Sequence, residues 1–412
     1  MLLMDGVSVY GGVAGLTAAG IAVMSVTIRP GEARFLVSTI RRAAVVTAVP
    51  ALWIVVQLFP IKAVANPIWA SAAAAIRYPL AGSISIDFGA SIMALGLYLS
   101  AAGVALLAAA VGVDRQRAIW ILFALVGATT LIALILVTQD TVGLGGLTTT
   151  AAEQAQAIDC AAIGAIVAAA AAIRTLERKD SRSAPQLNLT ATFNWTFATC
   201  SAAFVTCALV VIISSPGAVM IATIYGVAAV IAVAGIRRLR WGSWGLAAEL
   251  VLGIGAAALL IASVPELRAQ GIALAFVASS PATLISASQR VLSDTAWTGT
   301  GAGTFAAIMP IYRQINDPPM STPPNAVVAL SIELGWPMVV LIVTVTLGAT
   351  FTLLKASLER GRDSFYPAAG AGGLITVLFL SFINPGILGT AAAVIFAAVI
   401  GLAFAQSKSR TQ

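Results

Sequence analysis

Ser288-Gln-Arg290-Val-Leu-Ser-Asp294-Thr-Ala-Trp297-Thr-Gly299-Thr-Gly301-Ala-Gly303-Thr-Phe305 is the core of the one long polar interruption in this chain. The interruption continues through Tyr312 to Pro323-Pro324-Asn325 and Glu333-Leu-Gly335. It holds an arginine, an aspartate, three alternate glycines and several aromatics. Its flanks are the opposite in character. There the apolar residues come in runs of about 20, the length a helix needs to cross a hydrocarbon core ~30 Å thick. The contrast predicts an all-α polytopic membrane protein of about 11 transmembrane helices with one large outward-facing loop carrying short helices.

Composition agrees. Of the 412 residues, 59% are hydrophobic and only 9% are charged, against roughly 25% charged in a soluble domain. The net charge of +7 does not imply a nucleic-acid partner, because its distribution follows the spans. Cys160, Cys200 and Cys207 all fall inside apolar runs and read as small hydrophobes, giving neither a disulfide framework nor a metal site. The chain has no histidine, so His-ligated zinc and imidazole acid/base chemistry are excluded. No metal or cofactor is expected. Met1-Leu-Leu-Met-Asp5 lacks the basic n-region of a cleavable signal, so the first span is expected to be retained.

Spans are predicted near 7–28, 43–60, 89–112, 118–138, 157–173, 193–214, 217–235, 245–264, 326–354, 366–383 and 388–406. This divides the chain into N-terminal helices (1–173), a polar linker (174–192), central helices (193–264), the large loop (265–325) and C-terminal helices (326–412). With odd-to-even connections placed on one face, 18 of the 23 basic residues lie there. The other face keeps Lys62, Arg77, Arg268, Arg290 and Arg313. The positive-inside rule then sets the N-terminus outside and the C-terminus in the cytoplasm. Asp87 is placed to cap the third span. Ser280-Pro281 reads as a helix start, with serine as N-cap and proline at the first helical position. That helix would carry Arg290 and Asp294 one turn apart. After a turn at Gly299, Gly301 and Gly303, Thr304 would cap a second short helix with Phe305, Ile308, Tyr312 and Ile315 on one face, bent by Pro310.

Several residues in this loop are candidates for chemistry. Arg290, a lone arginine on the face poor in basic residues, suits phosphate or pyrophosphate through its planar fork; equally, it suits a local pair with Asp294. Glu333 is the nearest thing to a general base, or else a carboxylate favoured by a helix N-terminus. Trp297 and Tyr312 read first as interfacial aromatics and second as platforms for sugar stacking. The glycines read as turns, because the dinucleotide fingerprint would need a glycine at Thr304 and a preceding strand. Inside the membrane, Glu249 is the clearest charge, near enough to the cytoplasmic end to pair with Arg240, and Asp159 sits only at the edge of a span.

The order of these residues resembles a family. Arg290, Asp294, Trp297-x-Gly299-x-Gly301-x-Gly303-x-Phe305, then Tyr312, Asn325 and Glu333-Leu-Gly335 opening a span, looks like the large periplasmic loop of the O-antigen ligase and Wzy-type polysaccharide polymerase superfamily. Trp53-Ile-Val-Val-Gln57-Leu-Phe-Pro60, Ile68-Trp69 and Ser83-Ile-Ser-Ile-Asp87 resemble its exopolysaccharide-polymerase relatives. The resemblance implies a glycosyltransferase of the bacterial inner membrane that moves an undecaprenyl-pyrophosphate-linked glycan on the periplasmic face, with no metal, in contact with the bilayer and other polysaccharide-assembly proteins. Arg290 is the counterpart of the family's pyrophosphate-holding arginine; Glu333 or Asp294 is expected to replace its catalytic base, and Trp297, Gly299, Gly301, Gly303, Tyr312, Arg313 and Asn325 are the expected substrate contacts. Two positions depart from the pattern. Pro324 stands where the family has the loop histidine, and Ser215-Pro216-Gly217 stands where it has S-R-G. A proline side chain neither holds pyrophosphate nor takes a proton. The alternative expectation is therefore a catalytically inactive homologue that binds lipid-linked glycan or an active partner, and behind it a transporter or flippase.

Overall fold

The structure is a computed structural model that describes residues 7–27, 30–142, 150–180, 187–239, 273–277, 280–314, 321–360 and 363–408. Among these residues the regular elements are all helical. In chain order they are α1 (Val7–Thr27), α2 (Pro30–Leu58), a 3-10 turn (Lys62–Val64), α3 (Ile68–Ile76), α4 (Phe88–Gly112), α5 (Arg115–Val142) and α6 (Ala151–Asp180). Then come α7 (Leu187–Ser214), α8 (Gly217–Leu239), α9 (Ala282–Asp294), α10 (Phe305–Tyr312) and α11 (Ala326–Glu333). The chain closes with α12 (Trp336–Glu359), α13 (Phe365–Ile383), a 3-10 turn (Gly386–Leu388) and α14 (Thr390–Ala405).

Seven helices among the described residues, α4 to α8 with α12 and α13, are long and apolar enough to cross a membrane, and α1, α2 and α14 contain shorter apolar segments. By the length and composition of its described helices, the chain is thus an α-helical, multi-pass membrane protein. The predicted span at 245–264, with Glu249 and Arg240, lies outside the described residues, as do Arg268 and Ile315.

α6 is the axis. Its membrane-length segment is 83% buried, because α5, α7, α8, α13 and α14 all pack around it. Its run of alanines with Gly164 lets neighbours approach closely, which is how apolar helices attract one another when lipid offers no hydrophobic drive. Where α8 crosses α13, Gly226 and Gly372 face each other so tightly that a Cβ on Gly372 would lie 2.6 Å from the Gly226 carbonyl oxygen. Residues of the basic connections meet at one end of this bundle. Arg115 pairs with Asp363 and Arg237 with Glu177, each at 2.8 Å, while buried Arg174 lies over the Phe123 and Phe365 rings.

Three local expectations change. The span expected to begin at 157 starts at Ala151, and its first turn is closed by Thr150 and Glu153: the Thr150 N–H donates to the Glu153 carboxylate at 2.7 Å. Asp159 therefore lies two turns inside a helix, fully buried. The single span expected at 326–354 is two helices, α11 and α12, broken at Leu334-Gly335, where Gly335 has φ 85° and ψ 156°. α9 begins at Ala282, with Pro281 in an extended conformation just outside the helix and no side chain capping it. Asp87 caps α4 as expected, accepting the Ala90 N–H at 3.0 Å.

Candidate functional site

The outward loop is anchored at the broken end of α11. A helix leaves its last carbonyls without intrahelical partners, and here remote residues supply them. Thr300 N–H donates to the Ile332 carbonyl at 2.8 Å and Gly301 N–H to that of Glu333 at 3.0 Å. The Gln57 amide donates to the Glu333 carbonyl at 2.9 Å, and the Trp53 indole N–H to that of Leu334 at 2.9 Å. The glycine loop is thus the structure that closes α11.

Gln57 holds the knot together. It is fully buried near the end of Ala44–Leu58, the apolar segment of α2. Its amide also donates to the Thr298 carbonyl at 3.0 Å, and its Oε1 accepts the Ala302 N–H at 3.2 Å. On the far side, Ile86 N–H donates to the Thr300 carbonyl at 3.0 Å, and the buried Ser91 hydroxyl to the Ala302 carbonyl at 2.8 Å. Gly299, Gly301 and Gly303 all adopt positive φ. The need is plainest at Gly301, where a Cβ would lie 2.5 Å from the Ser85 hydroxyl and 2.7 Å from the Ser85 backbone.

Thr304 does not cap α10 with its side chain. Its hydroxyl donates to the Gly301 carbonyl at 2.6 Å and lies 2.8 Å from the Thr300 hydroxyl. Glu333 takes the capping role instead, its Oε1 accepting the Phe305 N–H at 3.2 Å. The half-buried carboxyl is pushed up to about 7: desolvation raises it, and the backbone N–H groups of Gly303 and Phe305 pull it part of the way back. Glu333 is thus a helix-start carboxylate for α10, not for the helix that carries it.

The amphipathic α9 packs Leu284, Ala287, Ser288 and Val291 inward against Phe305, Ile308 and Met309 of α10 and the apolar face of α11. That packing turns Arg290, Asp294 and Arg313 outward to an exposed surface. Arg290 reaches across to the C-terminal end of α10, donating to the Tyr312 carbonyl at 2.8 Å rather than pairing with Asp294. The Tyr312 phenol is raised, by burial first and then by the neighbouring Asp294 carboxylate. Arg290, Asp294, Tyr312 and Arg313 thus form one polar cluster. Glu333 lies at the other end of α10, whose eight residues span about 12 Å at 1.5 Å per residue.

The remaining predicted contacts fall elsewhere. Asn325 is fully buried and caps α11, accepting the Val328 N–H at 2.8 Å while donating to the Ala273 and Phe382 carbonyls at 2.6 and 2.7 Å. Trp297 is exposed, as is Trp336, and the Trp297 carbonyl rests against Gly335. Sequence reading passed over Gln57, Ser91, Thr300 and Thr304 as partners in the knot. A lone amide in an apolar span was the available signal for Gln57; the threonines and serines carried none.

Among the described residues no group of three acidic, cysteine or histidine side chains is placed to hold a metal ion. No family model matches the chain, and no curated protein matches it.

Proposed function

We propose that this chain is a multi-pass inner-membrane protein of cell-surface polysaccharide assembly that takes an undecaprenyl-pyrophosphate-linked glycan on its outward loop and transfers it to an acceptor hydroxyl. In this reading the chain crosses the bilayer eleven times, adding the apolar run at 245–264 to the ten apolar helices above, with a periplasmic N-terminus and a cytoplasmic C-terminus. One observation carries the proposal: exposed Arg290, Arg313 and Asp294 beside half-buried Tyr312 at one end of α10, and at its other end a carboxyl, Glu333, whose proton affinity burial raises.

The two ends divide the work. Arg290 retains guanidinium N–H groups beyond the one given to Tyr312, enough to grip a pyrophosphate oxygen. Glu333 takes the proton of an acceptor hydroxyl as its oxygen bonds to the anomeric carbon. The carbon–oxygen bond to the pyrophosphate breaks, and the lipid pyrophosphate leaves with the electron pair. A separation of about 12 Å accommodates a guanidinium, a phosphate, the reacting carbon and the hydroxyl in line.

A second reading, binding without turnover, draws support from the use already made of Glu333. Its carboxylate is engaged by the Phe305 N–H, and Pro324 and Pro216 stand at the two positions that depart from the family pattern. Purified protein in liposomes with lipid-linked glycan separates the two. Polymer or ligated product formed by the wild type, and lost in Arg290→Ala and Glu333→Gln, supports transfer. Saturable binding with no product supports the second reading. Neither binding nor product removes both.

A further inference from the structure

We infer that Asp159 is the site of a bound monovalent cation, a proton or a sodium ion, in the bundle beneath the outward loop. Asp159 lies two turns into α6, a helix of membrane length, and has no exposed surface. Its Oδ1 accepts the Asn384 amide at 3.0 Å. Among the described residues no donor reaches Oδ2, which is equally buried. The turn after α13 closes over it: a Cβ on Gly386 would lie 2.6 Å from Asp159 Oδ2 and 2.6 Å from the Ala155 carbonyl oxygen. Two oxygens therefore converge on one glycine-lined point with nothing positive between them.

A charged oxygen in such a place is severely penalised unless a counter-charge compensates it. The described elements packed on α6 offer none at this depth. On α6 itself, Glu153 is engaged at the helix start and Cys160 is a buried thiol. α7 contributes the Cys207 thiol, and α8 contributes Tyr225, stacked on Phe379. Arg174, the buried cation of the same helix, is about 22 Å away along its axis. A divalent ion lacks the acidic ligands it would need, since no cluster of three is present among the described residues. One positive charge is what the geometry asks for.

The site also bears on the outward loop. The Asn384 carbonyl accepts the Ala326 N–H at 3.2 Å, and Asn325 ties the start of α11 to Phe382 two residues earlier. Asp159 thus braces the seat of α11, whose other end holds the glycine knot.

The test uses detergent-purified wild type and Asp159→Asn, a neutral near-isostere whose carbonyl still accepts from Asn384. If sodium is bound, the wild-type Tm rises when NaCl replaces choline chloride at constant ionic strength and pH, and the variant's does not. If a proton is bound, the infrared carboxylic-acid C=O band of the wild type at neutral pH loses intensity in the variant, with no sodium response. Equal sodium response and unchanged carboxylic-acid absorption in the two proteins overturn the inference. Should Asp159→Asn not fold, Asp159→Ser takes its place in both arms. None of these readouts involves glycan, so this inference and the proposed function stand or fall separately.

Discussion

Gln57 and Ala302 are 245 residues apart in the chain and joined by a hydrogen bond of 3.2 Å from the Ala302 N–H to the Gln57 side-chain carbonyl. The same side chain meets Thr298 and Glu333, so one buried amide locks the second helix to the loop and to the end of α11. Replacing it with leucine leaves the Thr298 carbonyl and the Ala302 N–H without a partner, while the Glu333 carbonyl keeps the Gly301 N–H. Each stranded group costs about 1–3 kcal/mol, and Gln57→Leu is expected to lower unfolding stability by about 3 kcal/mol or more. Val56→Ala, at an exposed neighbour on the same helix, serves as the control and is expected to change little. Thermal unfolding in detergent, followed by tryptophan fluorescence, measures both.

Glu333 gives a pH dependence whose sign is fixed by its raised value of about 7 against an ordinary 4.5. The folded state binds this proton more tightly than the unfolded chain does. Its contribution to stability is therefore complete below about pH 4.5 and is lost as pH climbs through about 7. Glu333→Gln keeps an acceptor for the Phe305 N–H without the titration. The Tm of the variant relative to wild type is expected to rise between pH 5 and 8. Transfer activity, if Glu333 is the base, rises over the same window, opposite to stability. A wild-type Tm that tracks the variant across this range rules out the assignment.

How much of this was legible beforehand depends on the kind of contact. Hydropathy located the long helices, because crossing a bilayer demands a continuous apolar run wherever the run sits in the sequence. Asp87 was legible because a cap is a local bond, to Ala90. The loop's architecture was not. Thr304 carries a capping residue type, yet its hydroxyl turns to Gly301 and the cap comes from Glu333, 28 residues beyond Phe305. The break at Gly335 was hidden for the same reason. The residues from 326 to 354 are apolar enough for one helix, and what ends the first helix is a set of donors from Gln57, Thr300 and Gly301. Asp159 was misplaced by a boundary set at the first apolar residue, although α6 begins earlier with Thr150 and Glu153.

Gly335 joins α11 to α12 at φ 85° and ψ 156°, a region that only glycine occupies without strain. A Cβ there would also run into the Trp297 carbonyl oxygen. Gly335→Ala is expected to cost about 1–3 kcal/mol for the backbone alone, and more because the glycine loop must shift to admit the methyl. Gly348→Ala, in α12 with open space around its Cα, is expected to be neutral or mildly stabilising by about 1 kcal/mol. A pair of melting curves distinguishes them, and limited proteolysis near Trp297 is expected to quicken only in Gly335→Ala.

Arg290 separates binding from folding. Its side chain is exposed, and the one bond it makes is to the Tyr312 carbonyl, which water replaces readily. Arg290→Ala is therefore expected to change stability by no more than about 0.5 kcal/mol. A charge-assisted hydrogen bond to pyrophosphate is worth about 1.5–3 kcal/mol, so the same substitution is expected to weaken binding of a lipid-pyrophosphate glycan roughly 10- to 100-fold. Arg290→Lys keeps the charge but loses the planar fork, and is expected to recover only part of that loss. Arg313→Ala, at the edge of the same cluster, is expected to have a smaller effect, with a steeper salt dependence than Arg290→Lys. Binding to protein in nanodiscs, with the Tm recorded on the same samples, checks all three. An Arg290→Ala protein that melts like wild type and binds the glycan equally well would remove Arg290 from the site, and the pyrophosphate reading with it.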